Sequence, residues 1–414
     1  MGESRKMNIA ILILLVGLAV VLSILIKASF ERAGVPAIIG YLALGFFLNL
    51  ADRQWTILSK EGIEIFEFLA ALGIFCLLFR VGLESDLIGL IKQLRRASLI
   101  WAGNFSFSGF LGFATAYFLM GVSLIPSLFV GAALTATSIG IAVGAWEEAN
   151  ALDSPNGRIL LDVAEMDDIS GVILMALLLA IAPVLKKGDT GSLLPILGTT
   201  TIIFLFKGLL FTAACFFFSR YLEKPVTSFF RIVEPAPDPM LMVAGLGFII
   251  AASAEMLGFS VAIGAFFAGL AFSRDPETVK MEASFSSIYD LFAPFFFIGV
   301  GLEFNPEFFT SYFGLGSILL LAAILGKIVG TAGPALLICG RYSALLLGIS
   351  MAPRAEIAMI IMQRAADLGS WAAPAQVFGA MVFVSAASSL VVPLVLRRLL
   401  TKWPQNKEQL GENC

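Results

Sequence analysis

Hydrophobic residues in this chain come in long runs, not at every second position or on one face of a helix. Thirteen stretches carry almost no charge: near 8–27, 35–50, 62–83, 97–120, 125–146, 157–184, 192–219, 239–256, 259–273, 283–303, 309–339, 342–365 and 373–396. An α-helix needs about 20 apolar residues to cross ~30 Å of hydrocarbon. The second and ninth stretches are short, so they are expected to tilt or to be flanked by protein. Period-2 alternation is missing, which argues against a β-barrel. The first run follows Arg5 and Lys6 as a signal peptide would. Its apolar part is too long for that, and no clean small-x-small cleavage site follows. The pattern predicts an all-α integral membrane protein with 13 transmembrane helices.

Composition sharpens this picture by exclusion. The chain has 414 residues, 59% hydrophobic and 14% charged, with a mean hydropathy of +0.94. A soluble domain carries about 25% charged residues, so a globule of this make-up could not cover its surface in water. Net charge is −3 with no basic tail, so no nucleic acid partner is expected. Histidine is absent, which excludes a His-ligated metal and a Ser-His-Asp triad. Cys76, Cys215, Cys339 and Cys414 show neither a disulfide framework nor metal-ligand spacing. No G-x-x-x-x-G-K-[ST] loop is present to cradle a nucleotide. No cofactor, no catalysis and no appended soluble domain are expected.

Basic residues cluster on the side that holds the C-terminus: Lys92, Arg95, Arg96, Arg220, Lys224, Arg397, Arg398 and Lys402. Cytoplasmic loops collect Lys and Arg. The expectation is a multi-pass protein of the cell's inner (plasma) membrane, N-terminus outside and C-terminus cytoplasmic.

The chain also repeats itself. Gly34-Val-Pro-Ala-Ile-Ile-Gly40-Tyr-Leu-Ala-Leu-Gly45 aligns with Gly258-Phe-Ser-Val-Ala-Ile-Gly264-Ala-Phe-Phe-Ala-Gly269. Val81-Gly82-Leu83-Glu84 aligns with Val300-Gly301-Leu302-Glu303. The offsets, 224 from Gly34 to Gly258 and 219 from Val81 to Val300, nearly agree. The second stretch thus pairs with the ninth and the third with the tenth. A shift of seven spans is odd, so the halves are expected to be inverted: two six-helix repeats, 1–184 and 239–396, joined by a linker helix at 192–219. Inverted repeats are the architecture of secondary transporters, whose sites lie where helices break near the midplane.

Both halves carry such a breaking signal. The fifth stretch holds Thr135-Ala136-Thr137-Ser138, a polar cluster in an apolar run. The twelfth reads Pro353-Arg354-Ala355-Glu356, and a mid-span proline removes a backbone hydrogen bond. Crossed discontinuous helices are one outcome; the other is hydroxyls bonding back to their own helix beside an ordinary proline kink. Arg354 and Glu356 would neutralise half-helix dipoles or pair with each other.

The sixth stretch is the richest: Asp162-Val-Ala-Glu165-Met-Asp167-Asp168. Ionisable residues inside a span are costly and by default functional. Adjacent helical residues point 100° apart, so one aspartate can face a partner while the other faces a pathway. Asp168 would lie roughly 16 Å into the span, where a cation would relieve two buried carboxylates. Lys327, mid-way along the eleventh stretch, is too deep to snorkel and needs a carboxylate, with Asp167 the candidate. Lys207 and Arg80 are less informative and read as snorkelling or locally paired. Asp162, Glu165 and Asp168 recur at i, i+3 and i+6, a rough stripe on one face. With Glu147, Glu148 and Asp153 on the preceding loop, it reads as a cytoplasmic cation funnel. The alternative pairs Asp162 with Arg158 on the same helix face.

Taken together, Thr-Ala-Thr-Ser in one span, Asp167-Asp168 in the next, Lys327 before the second break and Pro353-Arg354-x-Glu356 at it resemble the monovalent cation:proton antiporter-2 family. The bacterial sodium/proton branch is the nearer likeness. The resemblance covers nearly the whole chain. It implies a homodimer, each protomer having a dimerisation domain and a moving core. It also implies that Asp168 is the main cation and proton site, that Asp167 forms an ion pair with Lys327 that breaks on cation binding, and that Thr137 and Ser138 line the site. Glu165, Ala355 and Arg80 depart from the family's usual residues. The expected activity is electrogenic, elevator-type exchange of a monovalent cation for protons, with Na+ ahead of Li+ or K+. A sodium-coupled solute symporter of related fold is the alternative, and it would call for a larger polar pocket. An intramembrane aspartyl protease is disfavoured, because Tyr289-Asp290 has no Gly-x-Gly-Asp partner.

Overall fold

The computed structural model describes residues 9–33, 35–55, 57–84, 87–152, 154–187, 193–222, 225–226, 228–229, 239–257, 259–273, 278–303 and 313–405. Arg5, Lys6, Gly34, Asp153, Lys224, Gly258 and Cys414 lie outside them, as do the side chains of Lys92, Arg95, Arg96 and Glu147. The described residues form helices and no strand. In lipid every backbone N–H and C=O must be satisfied within the protein, which leaves apolar runs little choice but helix.

In chain order these are α1 (Ile9–Arg32), α2 (Ala37–Trp55), α3 (Lys60–Glu84), α4 (Leu87–Ala114, closing in a π turn at Thr115–Leu119), α5 (Leu124–Thr135), α6 (Ile139–Glu148) and α7 (Pro155–Lys187). There follow α8 (Leu193–Phe217, with a π turn at Phe218–Leu222), α9 (Pro239–Met256), α10 (Val261–Phe272), α11 (Thr278–Glu303), α12 (Phe313–Ala335), α13 (Arg341–Ser350), α14 (Glu356–Asp367) and α15 (Ala375–Lys402). Among the described residues, 7 helices are long and apolar enough to cross a membrane. Leu124–Thr135, Leu241–Met256 and Val261–Phe272 are shorter apolar helices. The stretches at 125–146 and 342–365 are each two helices joined by non-helical chain, where a simple reading of apolar length would draw one.

Local chemistry sets the boundaries. Ser154 is the N-cap of α7: its Oγ accepts from Gly157 N at 3.1 Å, and Pro155 fills the first helical position, where no N–H is needed. Ser260 caps α10 in the same way, accepting from Ile263 N.

The chain divides into two compact units. The first takes in 1–25, 41–87 and 183–302; the second takes in 26–40, 88–182 and 303–414. In the first unit two helix pairs touch backbone to backbone. A methyl on Gly45 would collide with the Ile298 carbonyl, and one on Gly301 with the Leu42 carbonyl, so α2 lies directly on α11. Likewise a methyl on Gly82 would strike the Phe266 carbonyl and one on Gly269 the Phe79 carbonyl, so α3 lies on α10. Only glycine permits such an approach. Aromatic rings fill the space around these seams, among them Phe75 stacked on Phe248 at 4.1 Å and Phe79 against Phe285 at 5.1 Å.

The second unit holds α5, α6 and α12–α15, with most of α4 and α7. Its core packs Trp146, Leu160, Val163, Leu346, Leu347, Met351 and Leu396. A glycine seam joins α4 to α12: a methyl on Gly326 would sit 3.1 Å from Ser108 Cα, and one on Gly330 3.0 Å from Asn104 Cα. This seam and the two helix breaks position the polar centre of the unit.

Candidate ion-exchange site at two helix breaks

Helix α5 stops at Thr135, whose Oγ1 turns back to donate to Ala132 O at 2.7 Å. Ala136 is extended (φ −66°, ψ 153°) and α6 begins at Ile139. Helix α13 stops at Ser350 and α14 begins at Glu356, with Pro353 in the gap unable to donate a backbone hydrogen bond. The two gaps meet: Ser138 N donates to Pro353 O at 3.0 Å.

A broken helix leaves its last carbonyls without partners and a partial negative charge at that end. Two fully buried cations answer both needs. Arg354 donates through Nη2 to Leu134 O at 3.0 Å, and through Nη1 to Met351 O at 3.0 Å and Pro353 O at 3.1 Å. It therefore caps the C-terminal ends of α5 and α13 together. Its own backbone is held by Ser388 and Ser389 of α15. Lys327 Nζ donates to Thr135 O, the next carbonyl of α5. Glu356 lies in the first turn of α14, the positive end, and accepts from Ser138 Oγ. Of the two roles open to Arg354 and Glu356, the geometry has dipole neutralisation; among the described residues they form no ion pair with each other.

Asp167 is the centre of the arrangement. Its side chain is wholly buried, and Oδ2 accepts from Lys327 Nζ at 2.6 Å, Asn104 Nδ2 at 2.6 Å and Thr137 Oγ1 at 2.7 Å. Asp167 Oδ1 has no hydrogen-bond partner among the described residues. Thr137 Oγ1 also lies 3.4 Å from Met351 O. Asp162, Glu165 and Asp168 are half-buried, on a different face of α7 from Asp167. Asp168 stands 13 residues after Pro155, roughly 20 Å along the helix axis. No ion pair joins Asp162 to Arg158 among the described residues, and Glu148 pairs with Arg397 at 2.8 Å. The described residues hold no group of three or more His, Cys, Asp or Glu side chains of the kind that binds a resident metal. The Asp167 carboxylate and the Thr137 hydroxyl are hard oxygen groups, the type that suits a small hard cation.

The family model of sodium/hydrogen exchanger transmembrane domains matches residues 17–402. The chain belongs to the sodium/hydrogen exchanger family. It is 30% identical to a Na+/H+ antiporter of Enterococcus hirae over 90% of this chain and 94% of that one. It is 29% identical to the high-affinity Na+/H+ antiporter NhaS3 of Synechocystis, over 72% of this chain and 64% of that one. Its fold is that of the sodium proton antiporter MjNhaP1 from Methanocaldococcus jannaschii, solved at pH 8: TM-score 0.69 at 16% identity, covering 96% of this chain and 97% of that one. The exchanger is thus a multi-pass membrane transporter, not an enzyme, and its activity is cation:proton exchange.

Several side chains that build the exchanger's polar centre carry no strong sequence signal. Asn104 is a neutral amide in α4 close to Ser106 and Ser108, and Ser388 and Ser389 read as ordinary helix serines. Trp146 Nε1 donates to Ser350 Oγ at 2.8 Å, tying α6 to the end of α13. Lys207 is exposed and donates to Leu257 O at 3.1 Å, just past the end of α9. Arg80 is exposed with its guanidinium 4.7 Å from the centre of the Tyr289 ring. Both stand in the first unit.

Proposed function

We propose that the exchanger trades a monovalent cation, Na+ first and Li+ or K+ as further candidates, for protons at the α7 carboxylates. The observation that carries this reading is the set of three donors on one buried oxygen of Asp167, one of them the Lys327 ammonium at 2.6 Å. A buried ion pair of this kind is held only while both partners stay matched. A cation arriving at Asp168, for which Thr137 and Ser138 would be further ligands, competes for the charge of Asp167. Lys327 then yields Asp167 but keeps its bond to Thr135 O, so its ammonium is never left without an acceptor. Protons and the cation compete for the same carboxylates, and competition for one site is enough to couple two fluxes. A proton released from Lys327 in the cycle would make the exchange electrogenic.

Inverted repeats, 1–184 and 239–396 about the linker α8, supply two related conformations. The glycine contacts support this symmetry. An offset of 224 carries Gly45 to Gly269 and Leu42 to Phe266, and one of 219 carries Gly82 to Gly301 and Phe79 to Ile298, so the α2–α11 seam maps onto the α3–α10 seam residue for residue. The second unit, which holds Asp167, would be the moving part of an elevator and the first the dimerisation scaffold of a homodimer. With 13 crossings the N-terminus lies outside and the C-terminus in the cytoplasm of the inner membrane. Asp162 and Glu165 would then line the cytoplasmic approach to Asp168. Such exchange serves pH homeostasis. The test is cation-driven proton flux in proteoliposomes with Na+, Li+ and K+ given separately. Na+-driven flux that builds a membrane potential is expected; no flux with any of the three would overturn the reading.

A further inference from the structure

Three donors share Asp167 Oδ2, and they differ in what else they can bond. Lys327 has Thr135 O as a second acceptor, and Thr137 has Met351 O at 3.4 Å. Both can let go of Asp167 without losing every partner. Asn104 Nδ2 makes no other hydrogen bond among the described residues. Its backbone has no freedom to follow a moving carboxylate either. Asn104 is wholly buried on the unbroken helix α4, and Ser108 Oγ donates to its carbonyl at 2.6 Å. The glycine seam presses its Cα against Gly330 of α12, three residues beyond Lys327. Asn104 and Lys327 are thereby fixed relative to each other, and both aim at one oxygen.

We propose that Asn104 is a positioning residue of the exchange site: its amide holds the Asp167 carboxylate in one orientation while Lys327 and the cation trade places. The inference rests on the reading of Asp167 and Asp168 given above. A carboxylate with two releasable donors and no fixed one would turn with the ammonium that leaves it. The pair would separate late, and the cation would meet a site not yet shaped for it. With Asn104 in place, Asp167 stays hydrogen-bonded and still as Lys327 withdraws, and the donor that stays is neutral, so it does not compete with the cation for charge. This separates Asn104 from a packing residue, for which only volume would matter.

The discriminating variants keep one property and remove the other. Asn104→Leu keeps the branched shape, with somewhat larger bulk, and removes the donor; Asn104→Gln keeps the donor and alters the fit. Na+-driven proton flux is measured for the full chain in proteoliposomes. Asn104→Leu should raise the Na+ KM roughly tenfold, the lower end of what a hydrogen bond to a charged group is worth. Its maximal rate should stay within about twofold, since the cation's own ligands are untouched. Asn104→Gln should lie nearer the wild type in KM. Asn104→Ser is small enough for the seam yet too short to reach Asp167, so it carries the same expectation as Leu should Leu fail to fold. A normal KM in the Leu or Ser variant, or a Gln variant impaired more than Leu, would overturn the assignment. Wild-type protein without Na+-driven flux would instead sink the site reading on which it rests.

Discussion

Replacing Lys327 by glutamine tests the energetics of the buried centre. The variant removes the ammonium from Asp167 Oδ2 and from Thr135 O, both wholly inside the protein. Breaking a buried pair by deleting one partner costs about 3–5 kcal/mol, because the other charge stays buried. Asp167 keeps Asn104 and Thr137, which argues for the lower part of that range. The lost cap on α5 adds back about 0.3–1 kcal/mol. At about 2 °C per kcal/mol for a large chain, the melting temperature should fall by roughly 6–10 °C. The assay is thermal unfolding in detergent at low, fixed Na+, since a cation that binds only the folded state would stabilise it by mass action. The double variant Lys327→Gln/Asp167→Asn leaves no unmatched charge and should recover at least about 2 kcal/mol of the loss, a coupling typical of groups in one network. Lys207→Gln is the control: that lysine is exposed, and its loss should shift the midpoint by less than about 1 °C. A Lys327→Gln midpoint equal to wild type, or a double variant whose losses simply add, would refute this account of the pair.

Two further outcomes follow from other parts of the molecule. Glu165→Gln should raise the apparent KM for cation given on the cytoplasmic side, more at low ionic strength, with maximal rate little changed, because an acidic approach concentrates cations over a distance that salt shortens; an unchanged KM at low salt would discard the funnel. Gly45→Ala and Gly269→Ala, equivalent positions that each drive a methyl into a facing carbonyl, should destabilise by similar amounts, whereas one tolerated and one severe would count against symmetric seams.

The sequence was most readable where chemistry and hydrophobicity disagree. Thr135–Ser138 and Pro353 are polar or donor-less in runs that are otherwise apolar, and the helices break there. The meeting of Lys327 with Asp167 was readable because a lysine mid-span has few acceptors to choose from, and an aspartate is the strongest. Asn104 was not, because a neutral amide carries no such demand and its partner lies 63 residues away on another helix. The joint capping of α5 and α13 by Arg354 was likewise hidden, since it depends on the two gaps meeting at Ser138 and Pro353. Linear order also conceals the compact units. Each draws on both halves of the chain, because glycine seams set α2 on α11 and α3 on α10 in the first and α4 on α12 in the second, across more than 180 residues of sequence.

The central claim is that one carboxylate serves cation and proton in turn, and Asp168→Asn tests it most directly. The variant, reconstituted as a folded protein, is assayed for Na+-driven proton flux and for proton-driven Na+ flux in the same vesicles. Neutralising a shared site should abolish both while leaving the melting temperature near that of the wild type, since Asp167, Lys327 and Arg354 keep their bonds. Substantial exchange in either direction by Asp168→Asn would contradict the account.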